Sequence, residues 1–119
     1  MNTRQIGSEG EKIALNYLLN QGYKLVQKNY YVRGVGEIDI ICEQGNTLIF
    51  VEVKYSKTIG YGTPLAKVDA RKQQKIYATA EHFISQEKTH ENYRFDVISI
   101  IHSYGSFQVN HIKDAFWGG

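Results

Sequence analysis

Apolar residues near the start of the chain recur at helical spacing, at Ile13, Ala14, Tyr17 and Leu18. Ser8 and, three residues later, Glu11 have the pattern of a capping box, which predicts a helix start at Ser8. Gly22 stands where a helix C-terminus favours glycine, so we expect the helix to end just before it. The following segment, 23–32, is rich in tyrosine and valine and is typical of a strand.

The next segment alternates between polar and apolar residues, as a half-buried strand does. It covers residues 37–43, and a second strand-like run covers residues 47–54. Gly45 and Asn46 between them are typical of a two-residue hairpin loop. We therefore expect these two strands to be antiparallel neighbours.

The second half of the chain predicts one more helix and two more strands. Thr63 and Pro64 favour a helix start, and Asp69 is a second capping position after a short irregular turn. The apolar stripe of this helix, which we expect to end near Glu87, is Val68, Ile76, Tyr77, Ala80, Phe83 and Ile84. Segments 94–102 and 107–113 have the composition of strands. The predicted order indicates an α/β sandwich, in which helices flank a mixed central sheet.

The hairpin loop determines which residues of its two strands face each other. A two-residue loop puts Asp39 opposite Glu52 and Glu37 opposite Lys54. Because side chains alternate between the two faces of a strand, these four polar residues share one face. The other face is then expected to carry Ile38, Ile40, Val51 and Val53.

Asp39 and Glu52 would be two carboxylates directly opposite each other, an arrangement that lowers stability by up to ~1 kcal/mol. A hard divalent cation such as Mg²⁺ or Mn²⁺ reverses this interaction, because it binds carboxylate oxygens. Such an ion activates water and neutralises charge on a scissile phosphate, and Lys54 adds a fixed positive charge. These residues predict a metal-dependent phosphodiesterase site, with Glu37 as the ion-pair partner of Lys54. The alternative is four solvated residues on an exposed hairpin face.

Glu11 and several basic residues are further candidates for this site. Glu11 is either the capping-box partner of Ser8 or a carboxylate that the first helix directs toward the metal. The candidates for phosphate or base contacts are Arg33, Lys57, Tyr61, Lys72, Gln73 and Lys75. For Arg71, an ordinary solvated helix face is the preferred interpretation.

Composition limits the class of protein without choosing the function. The 119 residues fit one domain, 1–119, and 42% hydrophobic with 22% charged residues is an ordinary globular balance. No apolar run approaches the roughly 20 residues that span a bilayer, and the first residues have no secretory pattern. Cys42 is the only cysteine, so we expect a cytoplasmic protein and a buried thiol. A net charge of +2 permits a nucleic-acid partner but does not argue for one.

Two further sets of polar residues are assigned to the scaffold. Asp96 lies in the sequence Arg94-Phe-Asp-Val, and we expect it to form a structural ion pair with Arg94. The histidines, His82, His90, His102 and His111, have no metal-ligand spacing, so no zinc site is expected.

Five segments of the chain, in the same order, resemble the YraN-like family of bacterial proteins. They are Gly7–Ala14, Gly36–Ile41, Phe50–Lys54, Arg94–Val97 and His111–Phe116. This family consists of predicted endonucleases of the restriction-endonuclease-like, PD-(D/E)xK superfamily, with a fold related to that of Holliday-junction resolvases. The resemblance implies that Asp39 and Glu52 are metal ligands and that Lys54 is the catalytic lysine. It also implies that Glu11 is the helix carboxylate that completes such sites.

The chain departs from the family's pattern at two positions. Ile38 replaces the proline that precedes the aspartate, and Ser56 stands where relatives often have an arginine. That arginine would contact phosphate, and Lys57 is the candidate to replace it.

These residues and the resemblance predict a Mg²⁺- or Mn²⁺-dependent DNA endonuclease, selective for branched, nicked or single-stranded structures, in repair or recombination. One alternative is a non-catalytic nucleic-acid-binding subunit of a larger DNA-processing complex. Another is a hydrolase of RNA or nucleotides. We expect a helicase or similar partner to supply specificity that a short chain lacks. A homodimer would pair two sites, through the early tyrosine-rich strand or through strand 107–113 at a sheet edge.

Overall fold

The computed structural model describes residues 3–56, 68–87 and 89–116, with the backbone alone described for residues 3–8 and 103. Its elements are α1 (Thr3–Asn20), β1 (Lys24–Val32), β2 (Gly36–Gln44), β3 (Thr47–Ser56), α2 (Ala70–Gln86), β4 (Asn92–Ser103) and β5 (Ser106–Ile112). This is the order of helices and strands that the sequence predicts.

The described strands form one mixed sheet in the order β1-β2-β3-β4-β5. β3 and β4 are parallel, and the other three neighbouring pairs are antiparallel. A parallel pair needs a long crossover connection, and α2 belongs to the connection between these two strands. The fold is therefore α/β with a mixed central sheet, and it is compatible with a restriction-endonuclease-like sandwich.

The two helices pack on opposite faces of the sheet, and each face has its own apolar cluster. The cluster under α1 includes Ala14, Leu18, Ile40, Cys42, Ile49 and Val51. The cluster under α2 includes Ile41, Leu48, Phe50, Ile76 and Ala80. Cys42 is buried as predicted, and burial raises the pKa of its thiol to about 12. Successive side chains of β3 point alternately to the α1 face and the α2 face of the sheet, and the more polar C-terminal half of the strand keeps this alternation.

The C-terminal end of α1 agrees with the prediction from the sequence, and its N-terminal end does not. The helix begins at Thr3, so Ser8 lies inside it and the predicted capping box is wrong. The chain before Ser8 contains no proline and is itself helical, so the amides after Ser8 belong to helical turns and need no cap. At the other end, Gly22 has φ 93°, and the N–H of Tyr23 donates to the carbonyl of Leu18 at 3.0 Å. This is the glycine-terminated helix end that the sequence predicts.

α2 begins at the second of its two predicted capping positions. Asp69 is the N-cap, and its Oδ1 accepts the backbone N–H of Lys72 at 2.8 Å. Thr63 and Pro64 lie outside the described residues. The helix ends at Gln86, as predicted. Neither described helix is long and apolar enough to cross a membrane.

β1 and β5 occupy the two edges of the described sheet, where the sequence places the candidate interfaces. The side chains of β1 are exposed along most of the strand. Among the described strands, each edge has backbone groups on one side that no neighbouring strand pairs.

Candidate active site

Asp39 and Glu52 meet at the point where β2 and β3 separate. The predicted hairpin register holds as far as Ile40, which pairs with Val51, and the described pairing ends there. Beyond that pair, Oδ2 of Asp39 accepts the backbone N–H of Val53 at 2.8 Å. The carboxyl groups of Asp39 and Glu52 are within hydrogen-bonding distance of each other. They are neighbours, as the register predicts, at the end of the paired region.

The alternation of side chains along β2 breaks at Asp39. Ile38 belongs to the cluster with Phe50 under α2, whereas regular alternation would place it with Ile40 under α1. The prediction for Ile38 is therefore wrong. In the register of the flanking pairs, the residue opposite Asp39 is Asn29, whose φ of 51° is left-handed. This distorted backbone position accounts for the change of face.

The Asp39 carboxyl holds a proton far above the pH at which an exposed aspartate loses it. Burial is the largest cause, and the hydrogen bond and negative charge of Glu52 add to it. The N–H of Val53 and the charge of Lys72 act in the opposite direction. The net effect raises the pKa of Asp39 to about 8. A carboxyl group that keeps its proton because a second carboxyl group lies beside it belongs to a site that also favours a cation.

The raised pKa of Asp39 makes the stability of the metal-free protein depend on pH. Between about pH 4 and pH 8 the folded state keeps a proton that the unfolded chain releases, so stability falls as pH rises through this window. Asp39→Asn should flatten this slope and, at pH 8, raise the free energy of unfolding by about 1–3 kcal/mol. Urea unfolding in chelator from pH 5 to pH 9 measures both effects. Glu37→Gln, at an exposed position, is the control, and equal slopes in all three proteins would contradict the raised pKa of Asp39.

Two lysines lie beside Glu52. Nζ of Lys72 is 3.2 Å from Oε2 of Glu52, whose side chain is only 7% exposed. The side chains of Lys54 and Lys72 are close enough to interact electrostatically. Burial and then the charge of Lys72 lower the pKa of Lys54, against the attraction of Glu52. The predicted lysine is therefore in place beside the carboxyl pair, and α2 adds a second one.

Glu37 does not pair with Lys54, contrary to the prediction. Among the described residues, the ion pair at this end of the sheet joins Glu52 to Lys72. The side chain of Glu37 is exposed, and its charge contributes to a raised pKa at Glu11. The reason is that the described pairing of β2 with β3 ends at Ile40, before the positions of Glu37 and Lys54. Glu37 belongs instead to the rim of the adjacent cavity.

An open cavity of about 390 Å³ lies between the carboxyl pair and the start of α2. Its lining includes Gly36, Glu37, Asp39, Glu52, Asp69, Arg71, Lys72 and Lys75. The strand side is acidic and the helix side is basic. Gly36 permits this close approach, because a Cβ there would lie 2.7 Å from Oγ1 of Thr79. Arg71 lines the cavity, so its assignment from the sequence to an ordinary solvated helix face missed a position beside the candidate site.

Glu11 and Asn29 border the carboxyl pair on the side of α1 and β1. Burial and then the charge of Asp39 raise the pKa of Glu11, and a hydrogen bond from Asn29 partly offsets them. Glu11 is thus electrostatically linked to Asp39, as the helix carboxylate would be. Asn29 was missed by sequence reasoning. The available signal was an asparagine, which tolerates left-handed φ better than most residues, inside a predicted strand.

The remaining candidates for phosphate or base contacts differ in where the structure places them. Arg33 is exposed on the turn between β1 and β2, and Lys75 is exposed on the cavity wall. Gln73 has a structural role, because its Nε2 donates to the carbonyl of Val68 at 2.8 Å. Lys57 and Tyr61 lie outside the described residues.

Comparison with known proteins gives the family. The sequence model of a protein family, described as uncharacterised protein family UPF0102, matches residues 10–100 of this chain. This chain belongs to that family. It is 45% identical to a UPF0102 protein of Clostridium tetani, over 95% of this chain and 94% of the relative. It is 39% identical to one of Caldicellulosiruptor bescii and 40% identical to one of Clostridioides difficile, each over 98% of this chain and all of the relative.

The donor set of this UPF0102 chain fits a hard divalent cation. Asp39 and Glu52 present carboxylate oxygens, which Mg²⁺ and Mn²⁺ prefer, and their contact is repulsive when both are ionised. Within residues 3–56, 68–87 and 89–116, no three acidic, histidine or cysteine side chains converge as ready ligands. Two carboxylates suffice for Mg²⁺, which usually keeps several waters. Asp39 and Glu52 are therefore the residues that would hold such an ion.

Proposed function

We propose that this chain is a Mg²⁺- or Mn²⁺-dependent endonuclease that hydrolyses phosphodiester bonds of DNA, in repair or recombination. The observation that carries the proposal is the contact of the half-buried Asp39 carboxyl group with the buried Glu52 carboxyl group, beside Lys54 and Lys72. Acidic groups that attract a metal and lysines that attract phosphate are the two requirements of metal-assisted phosphodiester hydrolysis.

Each residue of the site has a distinct role in this proposal. Asp39 and Glu52 would hold the metal ion, and the chemistry that such an ion would supply there is activation of a water and neutralisation of charge on the phosphate. The N–H of Val53 fixes one oxygen of Asp39 and so orients the carboxylate. Lys54 keeps a positive charge beside the same carboxylates, where phosphate oxygens gain negative charge in the transition state. Glu11 faces Asp39 and orients water.

DNA is the proposed substrate because the open side of the cavity has basic walls. Arg71, Lys72 and Lys75 line it, and these side chains suit the phosphates of a nucleic-acid strand. Arg33, which is exposed on the turn before β2, is proposed as a further phosphate contact, and Lys57 is proposed as another from the sequence alone. Selectivity for branched, nicked or single-stranded DNA would come from a second copy of the chain, or from a helicase or other DNA-processing partner.

The test is cleavage of a substrate panel by the purified protein. The panel contains duplex, nicked, branched and single-stranded DNA and a matched RNA, each with Mg²⁺ or Mn²⁺ and again with excess chelator. We expect cleavage of at least one DNA structure that stops when the metal is removed. Binding of DNA without cleavage, in a protein that calorimetry shows to bind Mn²⁺, would favour the non-catalytic subunit. Cleavage of RNA alone would favour the RNA hydrolase.

A further inference from the structure

Lys72 occupies the position at which a cation would approach Glu52 from the open side of the cavity. Its Nζ lies 3.2 Å from Oε2 of Glu52, and both residues line the cavity. The Lys72 side chain is 44% exposed, whereas that of Glu52 is 7% exposed. The ammonium group of Lys72 therefore reaches the buried carboxylate of Glu52 from the solvent side, at the end of a long and flexible side chain.

Positive charge exceeds negative charge at this point when a divalent cation is bound. Asp39 and Glu52 together neutralise one such ion. Lys54 and Lys72 then add two positive charges, and Glu11, which borders Asp39, offsets only one of them. Like charges at such separations in a partly buried site repel strongly. Either the ion binds weakly or one ammonium group moves away.

Lys72 is better placed to move than Lys54. Lys72 lies in the first turn of α2, and Asp69 caps its backbone N–H, so the side chain can leave Glu52 without a change in the helix. Lys54 lies within β3, which is paired with β4 along its whole length. An ammonium group released beside a metal site binds the nearest available anion, and at a nuclease site that anion is a phosphate of the substrate.

We infer that Lys72 is an internal counter-cation, which occupies Glu52 in the metal-free site and transfers to a DNA phosphate when a divalent cation binds. This inference rests on the proposed function and adds to it a coupling between metal binding and DNA binding. Because the metal displaces Lys72 and the phosphate receives it, each ligand should strengthen the binding of the other. The pair of Lys72 with Glu52 thus keeps the site from retaining a metal ion tightly without substrate.

The test compares Mn²⁺ binding by calorimetry in wild type, Lys72→Met, Lys72→Arg and Lys75→Met. Lys72→Met should bind Mn²⁺ about tenfold more tightly than wild type, because the ion no longer competes with an ammonium group. Lys72→Arg keeps the charge and should stay within about threefold of wild type. Lys75→Met removes the same charge from the same cavity wall and should also change affinity by less than about threefold.

A second titration uses Mn²⁺ with a short oligodeoxynucleotide that carries phosphorothioate linkages to slow cleavage. In wild type the oligonucleotide should tighten Mn²⁺ binding, and in Lys72→Met this gain should shrink by about fivefold or more. Unchanged Mn²⁺ affinity in Lys72→Met, or an equal change of Mn²⁺ affinity in Lys75→Met in the absence of the oligonucleotide, would overturn the inference and leave the proposed function standing. A wild-type protein that binds no Mn²⁺ at all would overturn both.

Discussion

Glu52→Gln and Asp39→Asn are each expected to lower the rate of DNA cleavage by about 1,000-fold or more. An amide keeps the shape of the side chain but loses the negative charge that holds a divalent cation. The amide introduced by Asp39→Asn would still offer an oxygen to the backbone N–H of Val53, so the strand geometry should remain. The loss therefore reports on metal binding and not on folding.

Two measurements accompany this prediction. Each variant should bind Mn²⁺ at least about tenfold more weakly than wild type in calorimetry, and each should unfold no more readily in urea. Glu37→Gln is the matched control, because Glu37 lines the same cavity but is exposed and has no contact with the carboxyl pair among the described interactions. Its cleavage rate should stay within about threefold of wild type.

The results that contradict the prediction are specific. If the amide variants lose Mn²⁺ binding but cut DNA at the wild-type rate, the carboxyl pair is not the active site. If Glu37→Gln is as damaging as Glu52→Gln, the loss is a general effect of negative charge at the cavity. In that case the contact between Asp39 and Glu52 has no specific role in DNA cleavage.

The core of the site could be predicted because it depends on short-range geometry. The Gly45-Asn46 loop sets the hairpin register, and the observed pairing follows it from Gln44 to Ile40. Two-residue periodicity then brings Asp39 and Glu52 to one face without any knowledge of the rest of the chain. The order of the elements could be predicted for a similar reason, since caps and periodicity are local signals. The glycine at position 22 is the clearest example.

The parts that could not be predicted depend on contacts distant in the sequence or on departures from regular geometry. The ion pair of Lys72 with Glu52 requires the placement of α2 over the end of β3, which hairpin arithmetic does not supply. The change of face at Ile38 follows from a left-handed residue on a neighbouring strand, Asn29. The expected pairing of Glu37 with Lys54 assumed that the strands stay together beyond Ile40, where the described pairing stops.

A second carboxylate, Asp96, supports the scaffold on the face that α1 covers. It is fully buried, and Arg94 donates to both of its oxygens at 2.8 Å, as the sequence predicts. His111 Nε2 lies 2.7 Å from Oδ2, and the N–H of Asp114 donates to Oδ1 at 2.9 Å. The network continues to α1, since the Tyr17 hydroxyl lies 3.1 Å from Nδ1 of His111. Asp96 therefore joins β4, β5 and α1.

Asp96→Ala is expected to lower the free energy of unfolding by about 3–5 kcal/mol, because it takes the carboxylate away from the half-buried Arg94 guanidinium and from Nε2 of the buried His111 side chain. Burial tends to raise the pKa of Asp96, but the hydrogen bonds from His111, Arg94 and Asp114 outweigh it and hold that pKa below its usual value. The stabilisation is thus present at neutral pH and is lost as the carboxylate is protonated. The deficit of the variant should shrink below about pH 4.

Urea unfolding of wild type, Asp96→Ala and Asp114→Asn measures this effect. Asp114→Asn is the control, because it removes an exposed charge next to the network, keeps the backbone N–H, and suits the left-handed φ of 56° at that position. It should change the free energy of unfolding by no more than about 0.5 kcal/mol. Asp96→Ala should bind Mn²⁺ normally wherever it is folded, since Asp96 and Glu52 lie on opposite faces of the sheet. A loss below about 1 kcal/mol in Asp96→Ala would mean that water replaces the carboxylate and that the network is not required for the fold.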